Sequence, residues 1–149
     1  MISDTPSAGR FDGRTHILPV RIYYEDTDFT GIVYHANYLR YFERARSDFL
    51  RLAGVHHNLL LDNPDPMAFA VNRIDLQFLK PARIDDALQV KSHFDTMQGA
   101  RIFISQQIER GQDLLVKAAL EVCCISLAGR PRKPPPFLRA QLAAYLAPD

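Results

Sequence analysis

The chain has 149 residues, 47% hydrophobic and 23% charged, with a formal net charge of +1. Those proportions suit one soluble globular domain, and a near-neutral balance disfavours the strongly basic surface that a nucleic-acid binder carries. No stretch reaches the roughly 20 apolar residues of a membrane-spanning helix, and the only two cysteines, Cys123 and Cys124, are adjacent.

Residues 1–15 lack the apolar core of a secretory signal and are expected to form a flexible tail ahead of a single domain over 16–149. Residues 16–24 are rich in β-branched and aromatic side chains and predict a first strand. The run Glu25-Asp26-Thr27-Asp28-Phe29-Thr30-Gly31 is polar and ends on glycine, as a loop does. Over 36–53, Tyr38, Phe42, Ala45, Phe49 and Leu52 recur at spacings of four and three, which makes one apolar face of a helix. Asn37 is its expected N-cap and Gly54 its stop.

Residues 55–68, with His56-His57 and Asn63-Pro64-Asp65-Pro66, are expected as loop with one short turn at most. Strand patterns follow at 69–79, 87–95, 100–109 and 114–126, and Arg110-Gly111-Gln112-Asp113 marks a hairpin between the last two. Cys123 and Cys124 then fall mid-strand on opposite faces, so they build neither a disulfide framework nor a joint metal site. This fits a reducing, cytoplasmic compartment. Pro134-Pro135-Pro136 ends the sheet pattern, and 137–146 predicts a short terminal helix. A strand, a long helix and four strands in a meander give an α+β fold, with an antiparallel sheet wrapped around the helix to bury its stripe.

The run from Tyr24 to Tyr38 gathers carboxylates, His35 and Gly31 directly before the helix. A helix start has free N–H groups and a partial positive charge, which can polarise a carbonyl whose oxygen gains charge. A carboxylate beside it attacks that carbonyl or activates water against it. The same residue types also build ordinary turns and caps, so composition leaves both uses open.

Tyr24-Glu25-Asp26-Thr27-Asp28, Gly31, Val33-Tyr34-His35-Ala36-Asn37-Tyr38-Leu39 and Phe42-Glu43-Arg44-Ala45-Arg46 together resemble the signature of the 4-hydroxybenzoyl-CoA thioesterase family. Within it, His35-Ala36-Asn37-Tyr38 is most similar to the Tol–Pal-associated acyl-CoA thioesterase branch. A looser likeness continues through Leu79-Lys80-Pro81-Ala82-Arg83-Ile84-Asp85-Asp86-Ala87-Leu88-Gln89-Val90. The resemblance implies a hotdog fold and hydrolysis of an acyl-CoA, with an aliphatic acyl group, to a free acid and CoA. It puts the catalytic carboxylate on Asp28, as nucleophile or as general base, and the carbonyl-polarising N–H on His35, whose imidazole assists. Tyr24, Gly31 and Val33 become further substrate contacts, and Asp26 a loop anchor. It implies no cofactor and no metal, CoA being part of the substrate, and a homodimer or a homotetramer of paired dimers.

The basic residues Arg130, Arg132 and Lys133, joined by Arg101, suit the phosphates of CoA or the acidic surface of an acyl carrier protein. Glu43 is expected to form an exposed ion pair with Arg46, three residues on. Two other functions remain open: an enoyl-CoA hydratase or dehydratase pairing Asp28 with His35, and a non-catalytic acyl-CoA or carrier-protein binding module. The first would change enoyl absorbance without releasing thiol, and the second would bind CoA esters without turnover.

Overall fold

The computed structural model describes residues 4–148. Its spine is α1, His35–Leu52, which forms where the sequence repeats apolar residues at helical spacing. Tyr38, Phe42, Ala45 and Phe49 are all buried, as expected, and Tyr41 and Asp48 complete the inward face. Leu52, expected on that face, is 39% exposed, as the last residue of the helix. Gly54 supplies the stop with a left-handed φ of 87°, a conformation other residues resist.

Six strands wrap this helix: β1 Arg10–Asp12, β2 Thr15–Arg21, β3 Met67–Phe78, β4 Ala87–Gln98, β5 Arg101–Arg110 and β6 Asp113–Ser126. They form one antiparallel sheet in the order β1-β2-β4-β5-β6-β3. Alternation places Leu88, Val90 and Phe94 of β4 and Ile102, Ile104 and Ile108 of β5 against the helix. One inward polar residue, Gln106, is satisfied from three sides. Its Nε2 donates to Phe42 O at 3.0 Å and to Ser92 Oγ at 2.8 Å, and its Oε1 accepts from Arg46 Nη1 at 3.0 Å. The result is the α+β hotdog arrangement.

Four expectations need correction. The expected tail over 1–15 contains β1, whose Phe11 stacks on Tyr145 at 4.2 Å and meets Phe49 edge-on at 4.9 Å. Residues 1–3 lie outside the described residues. The meander holds for β4, β5 and β6, but β3 pairs with β6 instead of β4 and stands at the sheet edge. The loop over 55–68 contains a short helix, α2, His57–Leu61. Glu43 makes no ion pair with Arg46 among the described residues, since the guanidinium turns inward to Gln106. The terminal helix, α3, is Pro136–Leu142, followed by a 3₁₀ turn to Tyr145.

The N-terminal segment is tied to α1 by a buried polar cluster. His16 Nε2 and Asp48 Oδ2 are 2.7 Å apart, Gly9 N–H donates to Asp48 Oδ2 at 2.9 Å, and Arg51 Nη2 donates to Asp48 Oδ1 at 2.6 Å. Burial holds the His16 imidazole below its ordinary pKa, although Asp48 pulls the other way. No helix among the described residues is long and apolar enough to cross a membrane.

Candidate active site

The loop from Ile22 to Tyr34 is folded by its own polar groups. Tyr24–Asp26 forms a 3₁₀ turn, closed by Asp26 Oδ2 accepting from Tyr23 N–H at 2.8 Å. The backbone oxygen of Asp26 accepts from Tyr34 N–H at 3.0 Å and from Asn37 Nδ2 at 2.9 Å. Asp26 is thus the loop anchor that the resemblance implies. Further on, Asp28 N–H donates to Ile32 O at 2.9 Å and Gly31 N–H to Asp28 O at 3.0 Å. Gly31 sits at φ 82°, which lets the chain reverse between Asp28 and the helix.

Asp28 is therefore held in a tight turn and exposed. Thr30 donates to its Oδ1 twice, from Oγ1 at 2.6 Å and from N–H at 2.8 Å. These hydrogen bonds, with a smaller contribution from nearby His35, keep its carboxyl below the ordinary value of 3.8. Asp28 is a carboxylate at neutral pH, and only acid protonates it. Replacing Thr30 with valine deletes the hydroxyl donor. The acid limb of the pH–rate profile is then expected to move up toward the ordinary aspartate value, which pH-dependent kcat/KM measurements check.

The helix start lies near this carboxylate, close enough for His35 to act on its charge, and has open donors. Asn37 was the expected N-cap, but Tyr34 holds that position and supplies no side-chain cap, while Asn37 is spent on Asp26 O. Among the described residues no acceptor meets the N–H groups of His35 and Ala36, as a carbonyl-polarising site requires. The exposed His35 ring lies beside Tyr34 and edge-on to Phe78, at centroid distances of 4.6 and 6.2 Å.

The remaining expected residues divide. Tyr24 is exposed on the same loop. Val33 is buried in the core, its N–H donating to Ala82 O at 2.9 Å, so its side chain supports the loop from beneath. Sequence reasoning missed Tyr38 in this support: its buried hydroxyl accepts from Ala82 N–H at 3.0 Å, linking helix, loop and the 82 segment. A tyrosine on an otherwise apolar helix face was the signal available.

The basic group stands apart from Asp28 within one chain. Val116 of β6 pairs with Phe78 near His35, whereas Ser126 pairs with Met67 at the other end of β3. Arg130, Arg132 and Lys133 follow that far end, a strand length of about 36 Å away. Arg101 joins them there, opposite Cys123, and ion-pairs with Glu121 at 3.3 Å. Arg132 Nη2 meets Asp65 Oδ2 at 3.0 Å. Cys124 is buried, which pushes its thiol up to about 12, and Cys123 lies on the opposite face. No three His, Cys, Asp or Glu side chains converge as metal ligands among the described residues.

A family model described as the thioesterase-like superfamily matches residues 23–143. The chain belongs to that superfamily. The match to this superfamily begins at the Asp28 loop and runs into α3. The chain is 39% identical over 128 residues to the acyl-CoA thioesterase YbgC of Haemophilus influenzae, covering 86% of this chain and 92% of that one. It is 36% identical over 125 residues to the acyl-CoA thioester hydrolase YbgC of Escherichia coli O157:H7, covering 83% and 92%. A crystal structure of a probable thioesterase from Bartonella henselae superposes with a TM-score of 0.78 at 41% identity, over 81% of this chain and 99% of that one.

Proposed function

We propose that this protein hydrolyses an acyl-CoA, with an aliphatic acyl group, to a free acid and CoA, with Asp28 as the catalytic carboxylate. The observation that carries this is an ionised Asp28, fixed by Thr30, in front of the uncapped N–H groups of His35 and Ala36. The thioester oxygen sits against those N–H groups as its negative charge develops. Asp28 then either attacks the carbonyl carbon, expelling CoA thiolate and leaving an anhydride that water cleaves, or takes a proton from the attacking water. Relatives named for acyl-CoA hydrolysis at 36% and 39% identity support this choice over hydration or simple binding.

The working form is a homodimer, alone or paired into a tetramer, joined along β3. Among the described residues that strand is hydrogen-bonded only to β6, so one edge is unpaired there, and its register shifts between Val71 and Arg73. Unpaired edges invite another strand, and a two-fold axis makes such pairing self-complementary. Antiparallel pairing centred near residue 72 lays Phe78 of one chain beside the Met67 end of the other. That carries the partner subunit's Arg130, Arg132 and Lys133 toward the Asp28 loop, where they suit the phosphates of CoA or an acidic acyl carrier protein surface. The exposed apolar side chains around the loop, Phe29, Phe78, Leu79 and Ile84, suit a covered surface. The compartment proposed is cytoplasmic, where CoA esters and reduced cysteines coexist.

Thiol release from short, long and aromatic acyl-CoAs, with solution mass measured by light scattering, tests this. Turnover by a particle of two or four chains of 17.0 kDa is expected. A change in enoyl absorbance without thiol would move the function to hydration. Binding without turnover, of both CoA and carrier-protein esters, would leave a binding module.

A further inference from the structure

The Asp28 loop is gripped at both ends by one short segment, residues 81–86, between β3 and β4. At the loop's entry, Ile22 N–H donates to Asp86 O at 3.0 Å and Ile22 O accepts from Asp85 N–H at 2.9 Å. At its exit, Val33 N–H donates to Ala82 O at 2.9 Å, and Ile32 forms an isolated antiparallel bridge with Arg83. The segment also reaches α1, through Ala82 N–H and the Tyr38 hydroxyl. Asp28's own hydrogen bonds, with Thr30, Gly31 and Ile32, all lie inside the turn. They fix the carboxylate within the turn. Where the turn sits against the start of α1 is left to the two ends of the loop and to Asp26 O.

The segment is not relaxed by itself. Asp85 is the one non-glycine residue at positive φ among the described residues, at 67°. Such a conformation costs free energy and persists only where the surroundings over-determine it. Here they converge on Arg110, the last residue of β5. Its Nη1 donates to Asp86 Oδ2 at 2.8 Å and to Pro81 O at 3.3 Å, so one guanidinium ties the two ends of the segment together. Its Nη2 lies 3.7 Å from Asp113 Oδ2. Asp86 Oδ2 also accepts from Arg83 N–H at 2.8 Å, which closes the turn within the segment. Burial pushes the Asp86 carboxyl up, but Arg83 N–H and Arg110 outweigh it and keep it below its ordinary value.

We propose that Arg110 is a positioning residue for Asp28: it holds residues 81–86 in shape, and they set where the Asp28 turn sits against the N–H groups at the start of α1. This rests on the thioesterase function proposed above and adds a part to it. Displacing a reacting group by about 1 Å costs up to about a hundred-fold in rate, so a lesion at Arg110 acts on kcat. The Thr30 hydrogen bonds stay inside the turn, so the ionisation of Asp28 is left as it was. Rate and pH dependence therefore separate. Thr30→Val moves the acid limb, whereas loss of Arg110 lowers kcat and leaves that limb in place.

The test measures kcat, KM, the acid limb and melting temperature for thiol release by wild type, Arg110→Met, Arg110→Lys, Asp86→Asn, the Arg110→Met/Asp86→Asn double variant and Lys91→Met. Lys91 is the control, because its partly buried ion pair with Glu109 at 3.0 Å contacts neither the loop nor the segment. Arg110→Met is expected to lower kcat by roughly ten- to a hundred-fold, with KM within a few-fold and the acid limb unmoved. Arg110→Lys is expected to recover part of the loss, and the double variant to stay within about two-fold of Arg110→Met, since both changes break one interaction. Lys91→Met is expected to keep wild-type kcat whatever its melting temperature. If Arg110→Met does not fold, Asp86→Asn, which removes the charge and keeps the shape, is expected to show the same pattern. Near-native kcat in the folded variant, a loss carried by KM, an equal loss in Lys91→Met, or effects that multiply in the double variant overturns the proposal. Amide hydrogen exchange at Ile22 and Val33 reads the grip without activity. Faster exchange is expected in Arg110→Met and not in Lys91→Met, and unchanged exchange overturns the proposal. Absence of Asp28-dependent thiol release in wild type would remove the thioesterase function instead, and exchange then decides the grip by itself.

Discussion

Thiol release by the Asp28→Ala protein is expected to fall by about a thousand-fold in kcat, the scale of a positioned general base or nucleophile. The side chain is exposed, and its hydrogen-bonded partner is Thr30 in the same turn, so its loss costs the fold little. KM is expected to stay within a few-fold, because the role proposed for the carboxylate is at the reacting carbon and not in holding the CoA body. Asp28→Asn separates chemistry from geometry. An amide oxygen still accepts from Thr30, so the turn survives, but it neither attacks a carbonyl nor takes a proton at neutral pH. A loss as large in Asn as in Ala assigns the effect to the carboxylate. A folded Asp28→Ala protein with near-native kcat would remove Asp28 from the reaction.

The largest effect on stability is expected at Asp48. Replacing it with alanine strands buried His16, frees Gly9 N–H and leaves Arg51 without its acceptor. Removing one partner of a buried polar pair typically costs about 3 kcal/mol or more. For a domain of this size that corresponds to a melting temperature lower by roughly 6–12 °C, read by calorimetry at fixed protein concentration. Arg51→Ala is the control, since that side chain is 58% exposed and its share is screened. A melting temperature within a degree of wild type for Asp48→Ala would show the cluster contributes nothing. The same cluster sets a pH dependence. Because burial lowers the folded His16 pKa, the unfolded chain takes up its proton first as pH falls. Stability from this residue is full above the ordinary value of 6.5 and declines below it, until pH passes the folded value.

The helix, the loop and the carboxylate were legible because each is written locally. Helical spacing marked Tyr38, Phe42, Ala45 and Phe49, and the residues from Tyr24 to Arg46 carried the family signature. Pairing partners were not legible. The β-type residues along 69–79 mark a strand but not which strand lies alongside, so β3 read as the start of a meander when it pairs with β6. The distance of the basic group from Asp28 of its own chain was not legible for the same reason. Arg130, Arg132 and Lys133 follow the last strand in sequence, and only the register shows that β6 runs away from Asp28. Asn37 is the type of residue that caps helices, yet the loop fold gave its side chain to Asp26 O. Val33 has a signature position but a core location, which only the Ala82 contact reveals.

Gly9 carries a consequence for anyone editing the chain. A Cβ there would lie 2.4 Å from Ile17 O and 2.8 Å from Asp48 Oδ2, so the backbone passes where no side chain fits. Nothing in the polar, proline-bearing stretch around it warns of this. A truncation designed on sequence appearance would cut at residue 15, discard Phe11 and open the end of the core that Tyr145 and Phe49 share with it. Fusion tags, and saturation libraries aimed at the N-terminus, have to leave Gly9 and Phe11 in place.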